Sequence, residues 1–167
     1  MQITRAGEYA VLAATHLARQ GPGRAVMIEE ICETEKIPRS FLAKILQALC
    51  RAGLVRSQRG VHGGFRLAHP PSKISVLRLI EAIEGPIALQ RCLDETESCR
   101  RADACTLADI FGEAQQRLTE VFAKTTVSDL LRSKKEVLRR VQSLGSSRPN
   151  GTKAPRLAAP PLVPLQT

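Results

Sequence analysis

A mainly α-helical chain with one small β-hairpin is predicted, and three observations predict it. Apolar residues recur at helical spacing over several separate segments, each bounded by a capping residue or by Gly and Pro. Two short runs, residues 54–58 and 65–67, flank Arg59-Gly60-Val61-His62-Gly63-Gly64, which reads as a glycine-tipped hairpin. Finally, from Lys36 to Ile80 there is no Asp or Glu, while Lys36, Arg39, Lys44, Arg51, Arg56, Arg59, Arg66, Lys73 and Arg78 are all cationic. Helices preceding a basic hairpin give a winged helix-turn-helix head, here followed by a long dimerisation helix.

The elements follow in order. Thr4 caps a first helix running to about Gln20, whose Ala10, Ala13, Ala14, Leu17 and Ala18 form an apolar face of small residues, stopped by Gly21-Pro22-Gly23. A second helix over about 28–35 breaks at Lys36-Ile37-Pro38, and Pro38 is placed as the first residue of a third. In the third helix Phe41, Leu42, Ile45, Leu46 and Leu49 are expected in the core, leaving Ser40, Ala43, Lys44, Gln47 and Arg51 outward. Gly53 stops it, and the hairpin follows. Glycines 60, 63 and 64 permit positive φ and leave bare amides, so the tip can approach a phosphate or enter a minor groove. An ordinary turn would also want glycine, but it has no need of Arg59, His62 and Arg66 around it. Ser75 caps a fourth helix with Val76, Leu77, Leu79, Ile80 and Ile83, closed by Gly85-Pro86.

Next comes a polar loop holding Cys92, Cys99 and Cys105, with six and five residues between them. The intervening Asp94, Glu95, Glu97, Arg100, Arg101 and Asp103 do not suit core packing, so the sulfurs read as ligands for a soft centre. Iron-sulfur clusters and zinc are both held by thiolates, and spacing alone does not choose between them or exclude a redox thiol pair. From a Thr106 cap to about Lys124, Leu107, Ile110, Phe111, Ala114, Leu118, Val121 and Phe122 form a one-sided stripe expected to pair with its twin in a homodimer. A charged helix is expected over about 128–144. From Gly145, prolines at 149, 155, 160, 161 and 164 and the lack of acids predict a disordered basic tail. The organisation expected is a head over 1–86, a cysteine loop with dimerisation helix over 87–144, and a tail over 145–167.

Length permits a buried core without staples, so the five cysteines need not serve as disulfides. Arg5, Glu8, His16 and Arg19 interrupt any N-terminal apolar run, which predicts a cytoplasmic protein with reduced thiols and no membrane partner. The net charge of +9 matters through its distribution, because a one-sign field attracts phosphate. Double-stranded DNA is the partner expected, with Arg39, Ser40, Lys44, Gln47, Arg51, Arg59, His62, Gly63 and Gly64 at the interface. An enzyme is not expected, since no nucleophile-base or carboxylate pair is apparent and no small-molecule substrate is implied. Cys32 and Cys50 lie on apolar patterns and read as small buried hydrophobes, and His16 and His69 as structural.

These residues carry a family resemblance. Met1-Gln2-Ile3-Thr4 with Glu8-Tyr9-Ala10, Ile37-Pro38, Phe41-Leu42, Gly53-Leu54-Val55, Ser57, Arg59-Gly60, Gly63-Gly64-Phe65, Leu67, Ile74-Ser75-Val76 and Glu84-Gly85 resemble the IscR, NsrR and CymR regulators, the Rrf-two type. The resemblance covers residues 1 to about 130. It implies a dimeric winged-helix transcriptional regulator whose cluster state alters DNA binding, with Cys92, Cys99 and Cys105 where cluster-binding members keep their ligands. The IscR pattern places a histidine three positions after the last cysteine, and this chain has Ala108. NsrR-like members instead use a carboxylate at the position of Glu8, reaching from the partner subunit, although a glutamate near a helix N-terminus needs no such role. The resemblance thus implies a 4Fe-4S rather than a 2Fe-2S cluster, sensing iron, cluster supply, redox state or nitric oxide. CymR-like control without a cluster, by thiol oxidation, zinc or a partner protein, is the alternative. IscR has glutamate where this chain has Ala43, which implies a different operator.

Overall fold

Thr4 begins α1 (Arg5–Arg19) as the sequence predicts: its hydroxyl accepts from Gly7 N at 3.3 Å. The structure is a computed structural model and describes residues 3–60, 63–90 and 105–145. The same helix start also receives a carboxylate, because Thr4 N and Oγ1 both donate to Glu84 Oε1, at 2.9 and 3.0 Å. Gly7 leaves the space for it, since a Cβ there would stand 2.2 Å from that oxygen.

Helices α2 (Ile28–Glu35) and α3 (Arg39–Arg51) enclose a tight turn in which Lys36 takes the left-handed conformation at φ 56°. Pro38 is the cap of α3 rather than its first residue; its carbonyl accepts from Phe41 N and Leu42 N at 3.0 Å each. Strands β1 (Val55–Gln58) and β2 (Gly64–Leu67) pair antiparallel, Val55 opposite Leu67 and Gln58 opposite Gly64. Val26 extends this hairpin sideways: its N–H donates to Phe65 O and its carbonyl accepts from Phe65 N, both at 2.8 Å. A 3-10 turn over Pro71–Lys73 leads into α4 (Val76–Glu84), where the Ser75 hydroxyl accepts from Arg78 N.

One core joins these elements. Ala10, Ala13 and Ala14 of α1 are fully buried, and their small side chains let Leu42, Leu46 and Leu49 of α3 and Leu79 of α4 approach closely. Cys32 and Cys50 are half-buried against this core, and burial pushes both thiols up in pKa, as expected of small hydrophobes. Phe41 departs from expectation: it is 59 % exposed, because the four core positions Leu42, Ile45, Leu46 and Leu49 already fill the buried face of α3.

After the cysteine segment, α5 (Thr106–Lys124) starts from Cys105, not Thr106, as its cap residue. The chain then returns to the head. Val76 N donates to Thr125 O at 2.8 Å, Val127 N donates to Ile74 O at 2.9 Å, and Val127 is fully buried in the main core. The helix expected over 128–144 is two pieces, α6 (Val127–Leu130) and α7 (Lys134–Gly145). Each has its own start signal: Thr126 with Asp129, and Ser133 with Glu136, form reciprocal capping bonds.

Asp129 ties these pieces together. It is 3 % exposed, and its Oδ2 accepts from Thr126 N at 2.9 Å and Oγ1 at 2.8 Å, while Arg140 of α7 lies 3.4 Å from Oδ1 and Arg132 at 3.8 Å. Burial alone would raise its pKa, but the Thr126 bonds and the two guanidinium groups outweigh burial and hold the carboxyl below its usual value. A folded-state value below the unfolded one stabilises the fold above about pH 4 and is lost as pH falls through the folded value. Replacing Asp129 with Asn should cost about 1–3 kcal/mol at neutral pH and flatten the fall of Tm toward about pH 3, measured by circular dichroism. A variant as stable and as acid-sensitive as the parent would remove Asp129 from this role.

Candidate nucleic-acid interface and thiol segment

Helix α3 presents Ser40, Lys44, Gln47 and Arg51 as one exposed stripe opposite its buried leucines. The stripe follows from helical spacing, since residues three and four apart share a face. Arg39 is also exposed, but its Nε donates to Glu29 Oε1 at 3.0 Å and holds that carboxyl below its usual pKa. Arg39 therefore braces α2 against α3 before it can meet any other anion. Ala43 is half-buried beside the stripe.

The hairpin stands beyond the C-terminal end of α3, with Arg59 exposed next to its tip. Gly63 N donates to Gly60 O at 2.8 Å, and His62 lies outside the described residues. Two of the glycines, Gly63 and Gly64, prove to be required by the protein's own packing. A Cβ at Gly63 would stand 2.5 Å from Gln58 O, and one at Gly64 only 2.4 Å from Val26 O; Gly60 and Gly64 have positive φ, whereas Gly63 does not.

A signal in the hairpin escapes a reading by composition alone. Arg56 and Arg66 are directly opposed across the strands, on the face away from the core, to which Val55 and Phe65 contribute. Like charges at such a position destabilise a hairpin. An anion supplied from outside would relieve that repulsion, so the pair adds to the case for a phosphate surface. The strand register that reveals it was implicit in the spacing of the two runs around the tip.

Buried between α1 and α2 is His16, 3 % exposed, with Nδ1 3.1 Å from Glu35 Oε1 and Nε2 3.9 Å from Glu30 Oε1. Arg19 and Arg24 pair outside it with Glu35 and Glu30. His16 thus bridges α1 and α2 through Nδ1, while its buried Nε2 has no hydrogen-bond partner among the described residues, so the satisfied role expected of it is met at one nitrogen only.

Of the three loop cysteines, Cys92 and Cys99 lie outside the described residues. Cys105 is an unbonded, half-buried thiol at the start of α5, with its carbonyl accepting from Ala108 N at 3.0 Å. A helix N-terminus presents partial positive charge, so Cys105 sits where a nearby anion is favoured. The other end of the segment is anchored to the same helix: Ile87 is buried with Val76 and Ile80, and Leu89 N donates to Gln115 Oε1 at 2.9 Å. Gln115 is about 15 Å of helix rise from Cys105, so α5 fixes both ends of the segment at a set separation. Glu8 is exposed in the first turn of α1. Among the described residues, no group of three His, Cys, Asp or Glu is assembled for a metal.

The family of iron-dependent transcriptional regulators designated Rrf2 matches residues 3–133. The chain belongs to the Rrf2 family. Protein rrf2 of Nitratidesulfovibrio vulgaris is 30 % identical over 132 residues, covering 79 % of this chain and 88 % of its own. Among solved structures, CymR, the global cysteine regulator of B. subtilis, is similar with a TM-score of 0.62 and 27 % identity, covering 78 % of this chain and 95 % of its own. IscR of T. potens is similar with a TM-score of 0.64 and 25 % identity, covering 78 % of this chain and 86 % of its own. As an Rrf2-family winged-helix regulator, the chain has DNA as its partner and its relatives are regulators. No described helix is long and apolar enough to cross a membrane.

Replacing Lys44 and Arg59 together with Ala should weaken DNA binding and reduce the slope of log affinity against log salt by about two, one unit per lost phosphate contact. Titrations from about 50 to 200 mM salt test this, and an unchanged slope removes both residues from the phosphate contacts.

Proposed function

We propose that this Rrf2-family protein is a homodimeric, sequence-specific DNA-binding regulator whose affinity is set by an iron-sulfur cluster held by Cys92, Cys99 and Cys105. The acid-free exposed stripe of α3, together with the opposed Arg56–Arg66 pair, supports the DNA-binding part of this reading. Ser40, Lys44 and Gln47 face base edges and phosphates, while Arg51 and Arg59 neutralise backbone. Exposed Leu107 and Ile110 on α5 supply the seam for a second copy, which would set two α3 helices about one DNA turn apart, ~34 Å.

The donor set suits a cluster: three thiols, of which the described one is free and sits at a positive helix end. Cys92, Cys99 and Cys105 would hold it, with Glu8 of the partner subunit as the proposed fourth ligand, because Ala108 offers no donor. A 4Fe-4S cluster with an exchangeable fourth site fits this set better than a 2Fe-2S cluster. Bound there, the cluster would supply a redox- and ligand-responsive centre. The chain's own part is to fix the ends of the segment, through Leu89 and Cys105, on the helix that carries the dimer seam.

The likeness to CymR favours a second reading, control by thiol oxidation, zinc or a partner protein without a cluster. Purification without oxygen separates the two. A brown protein containing iron and sulfide, losing both when Cys92, Cys99 or Cys105 is replaced with Ala while staying dimeric, is the expected result. A colourless, iron-free protein after reconstitution moves control to the CymR-like reading, and full iron in all three variants overturns the ligand assignment.

A further inference from the structure

Phe41 is a large apolar side chain on the exposed part of α3 that the fold leaves without a use. It is 59 % exposed, whereas its neighbours Leu42 and Ile45 are buried, so core packing does not require an aromatic ring at this position. It lies in the first turn of α3, the third residue of a helix whose exposed face is otherwise Ser40, Lys44, Gln47 and Arg51. Helical geometry sets it about 60° around the axis from Lys44, on the flank away from Arg39 and its bond to Glu29. An exposed aromatic costs free energy unless something apolar covers it in the working state.

We propose that Phe41 is a specificity-determining residue that packs on the C5-methyl group of a thymine in the major groove. The inference rests on the DNA-binding face proposed above. The first turn of a recognition helix is the part that reaches base edges, and the thymine methyl is the apolar feature of the major groove. The surrounding charge favours this occupant: the whole stretch from Lys36 to Ile80 is free of acids, so a phosphate backbone on either side meets no repulsion from it. Phe41 then supplies selectivity of a kind that Lys44 and Gln47 cannot. A polar side chain reads hydrogen-bonding edges, whereas the ring distinguishes thymine from cytosine and from uracil by one methyl group.

The full-length protein, purified without oxygen, is used to select its site from random duplexes, and affinity is measured at fixed salt for that site. Each thymine is then replaced in turn by deoxyuridine, which keeps its pairing edge and lacks the methyl. For the parent protein, replacement in one half-site should weaken binding about fourfold, and replacement in both half-sites about fifteenfold, the worth of one buried methyl per half-site. Phe41→Ala, which removes the ring from both half-sites, should bind the thymine site more weakly by about fifteenfold or more and be indifferent to that replacement, while Phe41→Leu should recover part of the discrimination. Because Phe41 is exposed, Phe41→Ala should keep the parent's Tm, which separates lost recognition from lost folding. If Phe41→Ala retains the deoxyuridine effect at every position, or binds as tightly as the parent, the assignment is overturned while the DNA-binding reading stands. If the parent selects no sequence at all, both fall.

Discussion

Replacing Ile110 with Asp should convert the protein to a folded monomer whose affinity for its DNA site falls by about 10²–10⁴. Ile110 is 64 % exposed and Leu107 56 % exposed on the same face of α5, so a carboxylate there disturbs nothing within one chain. In a dimer the same carboxylate would be buried against its own symmetry mate, and an unpaired buried charge is among the costliest changes available to an interface. The DNA loss follows from linkage: two heads joined through α5 bind their half-sites with the second event made intramolecular, and separated heads forfeit that gain. Sedimentation and anisotropy titration read the two effects, with unchanged circular dichroism as the control. A variant that remains dimeric places the seam elsewhere, and a monomer with undiminished affinity removes dimerisation from the binding mechanism.

Gly64→Ala should produce the largest loss of stability for the smallest chemical change, about 3 kcal/mol or more and about 10 °C in Tm. Two penalties coincide there. The backbone has φ +143°, which L residues rarely adopt, and the new Cβ would stand 2.4 Å from Val26 O and 2.6 Å from Val26 C. Those are backbone atoms held by the paired bonds between Val26 and Phe65, so neither can step aside without breaking the link between the hairpin and the α1–α2 connection. Gly53→Ala separates the penalties, because Gly53 has φ +69° but nothing within 4 Å of a Cβ. It should cost only about 1–2 kcal/mol. Equal losses at the two positions, measured by urea unfolding, would mean that the close approach to Val26 contributes nothing.

The helices of the head were legible because their periodicity and punctuation agree. Thr4 and Ser75 cap, Gly85 closes, and α2 spans the segment that the pattern marks. The capping pairs Thr126–Asp129 and Ser133–Glu136 carry the three-residue spacing of a helix start, and this spacing, rather than the charge pattern that suggests one helix over 128–144, marks the two helices. Phe41 was misplaced for a different reason. Periodicity assigns an arc of a helix to the core, but the width of that arc depends on how many neighbours cover it, and α3 buries only the centre.

By itself the sequence determined the element order of the head, the basic acid-free stretch, the glycine-tipped hairpin and the family, since each depends on local spacing or on charge summed along the chain. Tertiary structure decided the rest. It divided the apolar stripe of α5, packing Leu118 and Phe122 on the Val76–Ile80–Ile87 cluster and leaving Leu107 and Ile110 exposed. It set Arg56 against Arg66, brought residues 125–130 back to the head, and gave Gly64 its reason in Val26. These are contacts between residues distant in sequence, and a periodicity fixes which way a side chain points without fixing what it meets.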